Sequence, residues 1–264
     1  MDLFEEQTHS ALPLAAKMRP RTLDEYVGQR EILGSNSLLR KAILNDKTGS
    51  LILYGPPGSG KTTLAEIIAK TTKSNFVPLS AISAGKADIM AVVKEAKEQL
   101  GFYEKKTILF IDEIHRFNKT QQDVLLPSVE NGLITFIGAT TENPYFEVNK
   151  ALLSRARVYR LEPLTTEDIK NILIRSLANK ERGLGELNVE YGDEELAALA
   201  ILSNGDARVA LNALETVVAL TPAEADGRIV LTVANIEEAI QKKQVRYDKD
   251  GDSHYDVISA FIKS

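Results

Sequence analysis

The pattern of hydrophobic and polar positions changes near residue 163. Before that point, short apolar runs alternate with segments of helical periodicity. The apolar runs are Ser50–Tyr54, Asn75–Leu79, Thr107–Ile111 and Leu133–Gly138. Helices are predicted over Leu38–Asn45, Thr62–Thr71 and Ala87–Leu100, and near Lys119–Leu126. Short buried strands that alternate with helices indicate βαβ units and an α/β fold built on a parallel sheet.

After Pro163 the helical pattern continues with almost no strand signal. The predicted helices are Asp168–Lys180, Glu194–Ser203, Ala207–Leu220 and Val233–Lys243. We therefore expect an α/β domain over residues 1–162 and a small all-α domain over residues 163–246. Residues 247–264 begin with a turn, and a new helix is predicted over Tyr255–Lys263.

The composition excludes several classes of protein. The 264 residues are 44% hydrophobic and 26% charged, as in an ordinary globular protein. The chain has no cysteine, which removes disulfides, thiolate zinc sites and cysteine nucleophiles. No apolar run reaches the roughly 18 residues of a membrane span. The acidic N-terminus lacks the order of a signal peptide. We expect a cytoplasmic protein.

The charge is distributed unevenly along the chain. The net charge is −5. Residues 1–160 hold 21 basic and 18 acidic side chains, whereas residues 161–264 hold 11 and 19. Any surface that contacts nucleic-acid phosphates is therefore expected on the α/β part, with Lys86, Arg116 and Lys119 as candidates.

A phosphate-binding loop follows the first apolar run. The sequence Gly55-Pro-Pro-Gly-Ser-Gly-Lys61-Thr62 matches G-x-x-x-x-G-K-[ST] at every fixed position. Glycines let the backbone wrap around phosphate oxygens, and the amides of the following helix point at them. Lys61 is expected to reach the β- and γ-phosphates, and the Thr62 hydroxyl to coordinate Mg²⁺. The predicted nucleotide-binding residues here are Gly55, Pro56, Pro57, Gly58, Ser59, Gly60, Lys61, Thr62 and Thr63.

A second acidic element completes the predicted site. Asp112 directly follows the predicted strand Ile108–Ile111 and so lies at its carboxyl end, where parallel sheets bind ligands. Asp112 is expected to hold Mg²⁺, directly or through water, and Glu113 to activate the attacking water. His115 completes the sequence Asp-Glu-Ile-His, which fits either a helicase-type box or a polar residue without a catalytic role.

With these two motifs in place, the chain resembles the AAA+ ATPases, and three further stretches follow the order of that family. Gly138-Ala-Thr-Thr-Glu-Asn-Pro144 resembles sensor 1, which positions the hydrolytic water, and implies Thr141 or else Thr140. Leu152-Leu-Ser-Arg155 resembles the motif whose arginine reaches a neighbouring subunit's ATP. Gly205-Asp-Ala-Arg208 resembles sensor 2, whose arginine contacts the γ-phosphate from a helical lid.

A close resemblance to one family, RarA/MgsA of the clamp-loader clade, narrows this further; its eukaryotic relative is the Werner-helicase-interacting protein. It is carried by PLAAKMRPRTLDEYVGQ, DEIHRFNKTQQDVLLPSVENG and TTENPYFEVNKALLSRARVYRLEPL. The resemblance implies ATP or ADP and Mg²⁺ as ligands. It also implies adenine contacts from Tyr26, Val27 and Gly28. The implied role is work on DNA at stalled replication forks, with single-stranded or forked DNA and single-strand-binding protein as partners and a nucleoid-associated location.

Two departures from the family bear on assembly. The eukaryotic relative has an N-terminal zinc finger, for which this chain has no cysteine. Family members also continue into a C-terminal helical domain that forms tetramers. We expect residues 247–264 to be the start of that region, and a chain ending there to be deficient in stable tetramerisation.

The predicted activity is Mg²⁺-dependent ATP hydrolysis, stimulated by DNA and dependent on oligomerisation. In it Lys61, Glu113, Thr141, Arg155 and Arg208 are the catalytic residues. Two other functions remain open from the sequence. One is a RuvB-like branch-migration motor, and the other is a nucleotide-switched scaffold that binds replication proteins.

Overall fold

A five-stranded parallel sheet is the centre of the fold. The computed structural model describes residues 12–239. The strands are β1 (Ser50–Tyr54), β2 (Asn75–Ser80), β3 (Thr107–Asp112), β4 (Ile134–Thr140) and β5 (Ala156–Arg160). They lie in the order β2-β3-β4-β1-β5, and every neighbouring pair is parallel. All five carboxyl ends therefore meet at one edge of the sheet.

Helices connect these strands and continue beyond them. Those before β4 are α1 (Leu14–Lys17), α2 (Arg30–Leu33), α3 (Leu38–Leu44), α4 (Lys61–Thr71), α5 (Lys86–Tyr103) and α6 (Lys119–Glu130). A short 3-10 turn, Ile114–Arg116, lies between β3 and α6. Those after β4 are α7 (Pro144–Glu147), α8 (Lys150–Leu153), α9 (Thr166–Ala178), α10 (Asp193–Leu202) and α11 (Ala207–Leu220). Residues 233–239 are also helical.

The sheet is buried on both faces. Successive side chains of a strand point to opposite faces. Accordingly, Leu51 and Leu53 belong to one buried hydrophobic cluster, and Ile52 between them belongs to the other. The same alternation separates Phe110 from Leu109. Because both faces are covered, the inner strands are continuous apolar runs, which is why they were recognisable in the sequence.

The predicted α/β fold with a parallel sheet is confirmed, with local corrections. The segment expected to be all-α also contains the short strands Val189–Glu190 and Ile229–Val230. The strand β5 was not predicted, because it lies at the sheet edge and only partly buries alternate side chains. The helix near Lys119–Leu126 does not stop before Pro127 but continues to Glu130.

The contacts within the chain define two compact units. One consists of Met18–Ile172 together with Asn204–Arg208, and it contains the sheet. Arg208 therefore groups with the sheet-bearing unit. The predicted boundary between residues 162 and 163 stays a prediction about domain organisation. The predicted segment 247–264, including the helix Tyr255–Lys263, lies outside the described residues.

The other unit is mainly helical. It includes Leu173–Ser203 and the described residues from Val209 onward, with α10, most of α11 and a two-residue parallel ladder. The ladder joins β6 (Val189–Glu190) to β7 (Ile229–Val230). Leucines of α10 and α11 are buried in it. Within residues 12–239, no helix combines the length and the apolar composition needed to cross a membrane.

Candidate active site

The glycine-rich loop occupies the turn between β1 and α4. It begins at Gly55, whose backbone amide donates a hydrogen bond to the carbonyl oxygen of Thr140 at 3.2 Å. A side chain at Gly55 would overlap the carbonyl oxygen of Leu161. The loop therefore starts in close contact with the chain at the ends of the two neighbouring strands, β4 and β5.

Two further glycines are required by backbone conformation and by space. Gly58 has φ +69° and Gly60 has φ +97°, in the left-handed region that side chains rarely adopt. A Cβ at Gly58 would overlap the carboxylate of Asp206, and one at Gly60 would overlap the hydroxyl of Tyr26. Gly60, a fixed position of the motif, and Gly58, a variable one, therefore permit both the turn and the close packing around it.

Lys61 is buried at the start of α4, with 8% of its surface exposed. Its Nζ donates hydrogen bonds to the carbonyl oxygens of Gly55 at 2.7 Å and Pro56 at 2.9 Å. Burial lowers the pKa of Lys61, while the nearby carboxylates of Glu113 and Asp112 act in the opposite direction. The ammonium group thus lies within the loop and close enough to both acidic residues to feel their charge.

The N-terminal segment supports the loop from its other side. The hydroxyl of Tyr26 donates to the carbonyl oxygen of Ser59 at 3.1 Å, and burial raises the pKa of Tyr26. The side-chain amide of Gln29 donates to the carbonyl oxygen of Glu162 at 2.7 Å and accepts from the Glu162 amide at 3.0 Å. It also reaches the Ser59 carbonyl oxygen at 3.5 Å. Gln29 therefore connects the loop to the chain that leaves β5.

The acidic pair lies at the carboxyl end of β3, next but one to β1 in the sheet. Asp112 Oδ1 accepts a hydrogen bond from the Glu113 amide at 3.2 Å. Glu113 has φ +53°, which turns the chain sharply after the strand. Its Oε2 is buried and makes no hydrogen bond within the protein, although His115 Nδ1 lies 3.2 Å away. A buried carboxylate oxygen without a hydrogen-bond donor is suited to accept one from a water molecule.

His115 connects the acidic pair to the end of β4. Its Nδ1 lies 2.9 Å from Thr140 Oγ1, which also accepts a hydrogen bond from the Glu142 amide at 3.0 Å. Thr140 is completely buried, whereas Thr141 is exposed and lies beyond the strand. Of the two threonines considered from the sequence, Thr140 is the one in this cluster. Thr141, the predicted sensor residue, lies outside this cluster.

The predicted metal ligands are compatible with Mg²⁺. Thr62 lies in the first turn of α4, and Asp112 ends β3. Mg²⁺ is usually held by one or two protein oxygen ligands together with substrate phosphates and water. In the described residues, no group of three or more histidine, aspartate or glutamate side chains could hold a metal. A hydroxyl and a carboxylate beside a phosphate loop match the sparse ligand set of Mg²⁺.

Arg208 lies in the first turn of α11, in the same compact unit as the loop. Its backbone amide donates to Asp206 Oδ1 at 2.8 Å, and its side chain is exposed. The charge of Arg208 contributes to the lowered pKa of Lys61. The predicted sensor arginine is therefore close enough to the loop to interact with it electrostatically.

Arg155 is not part of this cluster. Its Nη1 donates to the Ala151 carbonyl oxygen and to Ser154 Oγ, both at 2.8 Å, and its Nη2 lies 2.6 Å from Glu130 Oε1. It directly precedes Ala156, which pairs with Ser50 at the amino end of β1. Arg155 thus lies at the sheet edge opposite the phosphate loop.

The three predicted adenine contacts take different positions. Tyr26 supports the loop as described above, and Val27 is half-buried. Gly28 has φ +79°, and a Cβ there would overlap the side chain of Leu164 and approach Asp168. Contact of these residues with adenine stays a prediction.

Sequence reasoning did not identify three residues of the site. The sequence assigns no role to Gln29 or Asp206, and it allows two interpretations of His115. Their contacts are with residues far away in the chain: Ser59 and Glu162 for Gln29, Gly58 for Asp206, and Thr140 for His115. No local pattern of the sequence reports such contacts.

The fold and the site together define a P-loop nucleotide-binding protein. Residues 18–153 match the family model of the Holliday junction DNA helicase RuvB P-loop domain, and residues 185–264 match an AAA C-terminal domain. Among solved structures, the Thermotoga maritima RuvB Holliday junction branch migration motor is similar, with a TM-score of 0.69 and 27% identity. The similarity covers 86% of this chain and 73% of that one.

Curated relatives narrow the class. Replication-associated recombination protein A is 47% identical in Escherichia coli K12 and 45% identical in Bacillus subtilis, over 96% of this chain. ATPase WRNIP1 of Dictyostelium discoideum is 42% identical over 97% of it. The chain belongs to the AAA+ ATPases of the replication-associated recombination protein A family. It spans 56% and 59% of the two bacterial relatives' lengths and 31% of the Dictyostelium one.

Proposed function

We propose that this protein is a Mg²⁺-dependent ATPase that acts on DNA in replication-associated recombination and repair, at stalled forks. The observation that carries the proposal is the cluster at one edge of the sheet. There a buried lysine lies in a glycine-rich loop, close enough to two carboxylates for both of them to act on its pKa. The names of the curated relatives support the DNA-related role.

Binding of the nucleotide rests on the loop and α4. The amides at the start of α4 and the Lys61 ammonium hold the β- and γ-phosphates, because a helix N-terminus and a cation both favour negative charge. Thr62 and Asp112 would hold Mg²⁺. When bound there, Mg²⁺ supplies positive charge that offsets the charge of the phosphate oxygens.

Hydrolysis rests on Glu113. Its buried Oε2, which makes no hydrogen bond within the protein, accepts a proton from the attacking water. We propose Thr140, rather than Thr141, as the residue that orients this water, with His115 holding the threonine hydroxyl in place. Arg208 contacts the γ-phosphate of the same chain.

Arg155 acts on a neighbouring subunit. Its place at the opposite edge of the sheet separates it from its own loop by the length of β1, about 16 Å for a strand of this size. In GTP-hydrolysing enzymes that use an arginine finger, an arginine supplied by a second protein raises turnover by about 10³–10⁵-fold. The active form is therefore a homo-oligomer, a tetramer in the full-length family.

We propose single-stranded or forked DNA and single-strand-binding protein as partners, in the cytoplasm at the nucleoid. Lys86 begins α5 after β2, and Arg116 and Lys119 follow β3. All three are exposed, and β2 and β3 are neighbours, so these cations share the carboxyl edge of the sheet. A basic edge of this kind favours phosphate contacts.

The test measures ATP turnover with and without Mg²⁺, and with and without forked DNA. Turnover that needs Mg²⁺ and rises with DNA is expected. Charge reversal of Lys86, Arg116 and Lys119 should abolish most of the DNA stimulation. The matched control reverses the exposed Lys47, Lys73 and Lys105, which precede β1, β2 and β3 at the other edge. Equal loss in both triple variants would reject the proposed DNA surface.

A second candidate function is a RuvB-like branch-migration motor, which the similarity to the Thermotoga maritima motor favours. It predicts ATP-driven movement of a four-way DNA junction by the protein alone. ATP hydrolysis stimulated by forked DNA without junction movement supports the first proposal over this one.

A further inference from the structure

A carboxylate lies against the phosphate loop. The Asp206 side chain is so close to Gly58 that a single Cβ on that glycine would overlap its Cγ and both carboxylate oxygens. Gly58 and Asp206 belong to the same compact unit. A loop whose ligand is a polyphosphate thus has a negative charge built into its wall.

The same carboxylate also starts the helix that carries Arg208. Asp206 directly precedes α11, and its Oδ1 accepts a hydrogen bond from the Arg208 amide at 2.8 Å. This is the bond pattern of an N-cap residue. The cap holds the first turn of α11, and therefore the Arg208 backbone, beside Gly58.

The two charges have opposite effects on the loop. Asp206 acts to raise the pKa of Lys61, and Arg208 acts to lower it. An anion near Gly58 repels the phosphates that the loop amides attract. Capping alone does not require this charge, since asparagine caps a helix as well as aspartate.

We propose that Asp206 is a positioning residue that weakens nucleotide binding through its charge and holds the backbone of Arg208 at the loop through its cap. The proposal rests on the proposed function, because it requires that the loop bind nucleotide. Its consequence is faster release of ADP than the loop alone would allow.

The test compares the Kd and dissociation rate of ADP with Mg²⁺ for the wild type, Asp206→Asn and Asp206→Ala. Asparagine keeps the cap and removes the charge, so Asp206→Asn should bind ADP about three- to tenfold more tightly, mainly through slower dissociation. Because the cause is electrostatic, this ratio should shrink when the salt concentration rises to about 0.5 M. Alanine removes the cap as well, so Asp206→Ala should also lower turnover by misplacing Arg208.

The control is Asp46→Asn. Asp46 forms an ion pair with Lys106, just before β3, at the opposite edge of the sheet. This variant removes the same charge and should leave the Kd of ADP within about twofold of the wild type, since the distance weakens the interaction. If Asp206→Asn binds ADP as tightly as the wild type, or more weakly, the proposed role of Asp206 is wrong and the proposed function is unaffected. Failure of every variant and of the wild type to bind ADP overturns the proposed function together with it.

Discussion

The hydroxyl of Tyr26 donates a hydrogen bond to the carbonyl oxygen of Ser59, 33 residues further along the chain, at 3.1 Å. The same hydroxyl occupies the space that a side chain at Gly60 would need. A partly buried tyrosine of the N-terminal segment therefore helps to fix the conformation of the phosphate loop. The conformation of the loop depends on the N-terminal segment as well as on its own glycines.

Removing this hydroxyl should destabilise the protein without removing its activity. Tyr26→Phe loses one partly buried hydrogen bond to the backbone, which costs about 1 kcal/mol of unfolding free energy. Denaturant unfolding at neutral pH measures this loss. Tyr145→Phe, at an exposed tyrosine of α7, is the matched control and should be neutral. Equal stabilities of Tyr26→Phe and the wild type would show that the bond contributes nothing.

The same variant tests the pKa of Tyr26. Burial raises this pKa above its ordinary value of 10.0. The folded protein therefore keeps the proton at a pH where the unfolded chain releases it. The stabilisation is complete below pH 10 and is lost as the pH rises above it, by about 1.4 kcal/mol per unit. The advantage of the wild type over Tyr26→Phe should shrink as the pH rises from about 10 to about 11. An advantage that stays constant across this range contradicts the assignment.

Alanine at Gly60 should abolish nucleotide binding. It forces a side chain into the left-handed region and into the Tyr26 hydroxyl at once. Gly49→Ala is the control, because Gly49 also has positive φ, +64°, but has open space around its Cα. Gly49→Ala should cost about 1 kcal/mol of stability through backbone strain and leave ADP affinity unchanged. Calorimetric titration with ADP distinguishes the two, and normal ADP binding by Gly60→Ala would contradict the prediction.

The two neighbouring threonines should differ sharply. Thr140→Val keeps the shape of a buried side chain but removes the hydroxyl that lies beside His115. It should lower ATP turnover at least about tenfold while leaving ATP affinity nearly unchanged, since the hydroxyl acts on the attacking water. Thr141→Val, at the exposed position, should change turnover less than about twofold. The reverse order of effects would restore Thr141 as the water-orienting residue.

Arg155 should act only between subunits. Arg155→Ala lacks the arginine but keeps its own Glu113, and Glu113→Gln keeps the arginine but cannot activate water. Mixing these two inactive variants at high protein concentration should restore part of the ATP turnover, because each supplies what the other lacks. Arg157→Ala, at the exposed arginine two residues away on β5, is the control and should remain active alone. A mixture as inactive as its components contradicts a trans role.

The site divides into what local sequence specifies and what only the fold brings together. The loop from Gly55 to Thr62 was predictable because its glycines and lysine are contiguous and flanked by an apolar run and a helix. Asp112 and Glu113 were predictable because they end an apolar strand, and in a parallel sheet such ends share one edge.

The remaining contacts join distant segments. Gln29 meets Glu162, His115 meets Thr140, and the carboxylate of Asp206 meets Gly58. These contacts depend on the strand order β2-β3-β4-β1-β5, or on the packing of residues 204–208 with the sheet-bearing unit. Hydrophobic periodicity predicts neither the strand order nor this packing. The strand β5 was not predicted from the sequence. It lies at the sheet edge and has arginines at positions 157 and 160, so it forms no continuous apolar run.

The most direct test of the account measures ATP binding and ATP turnover on the same preparations of wild type and Glu113→Gln. Glutamine keeps the shape of the side chain but cannot take a proton from water. The account predicts that Glu113→Gln binds ATP with Mg²⁺ at least as tightly as the wild type and loses turnover by about 10²-fold or more. Turnover by Glu113→Gln at the wild-type rate would contradict Glu113 as the water-activating residue and with it the central mechanism.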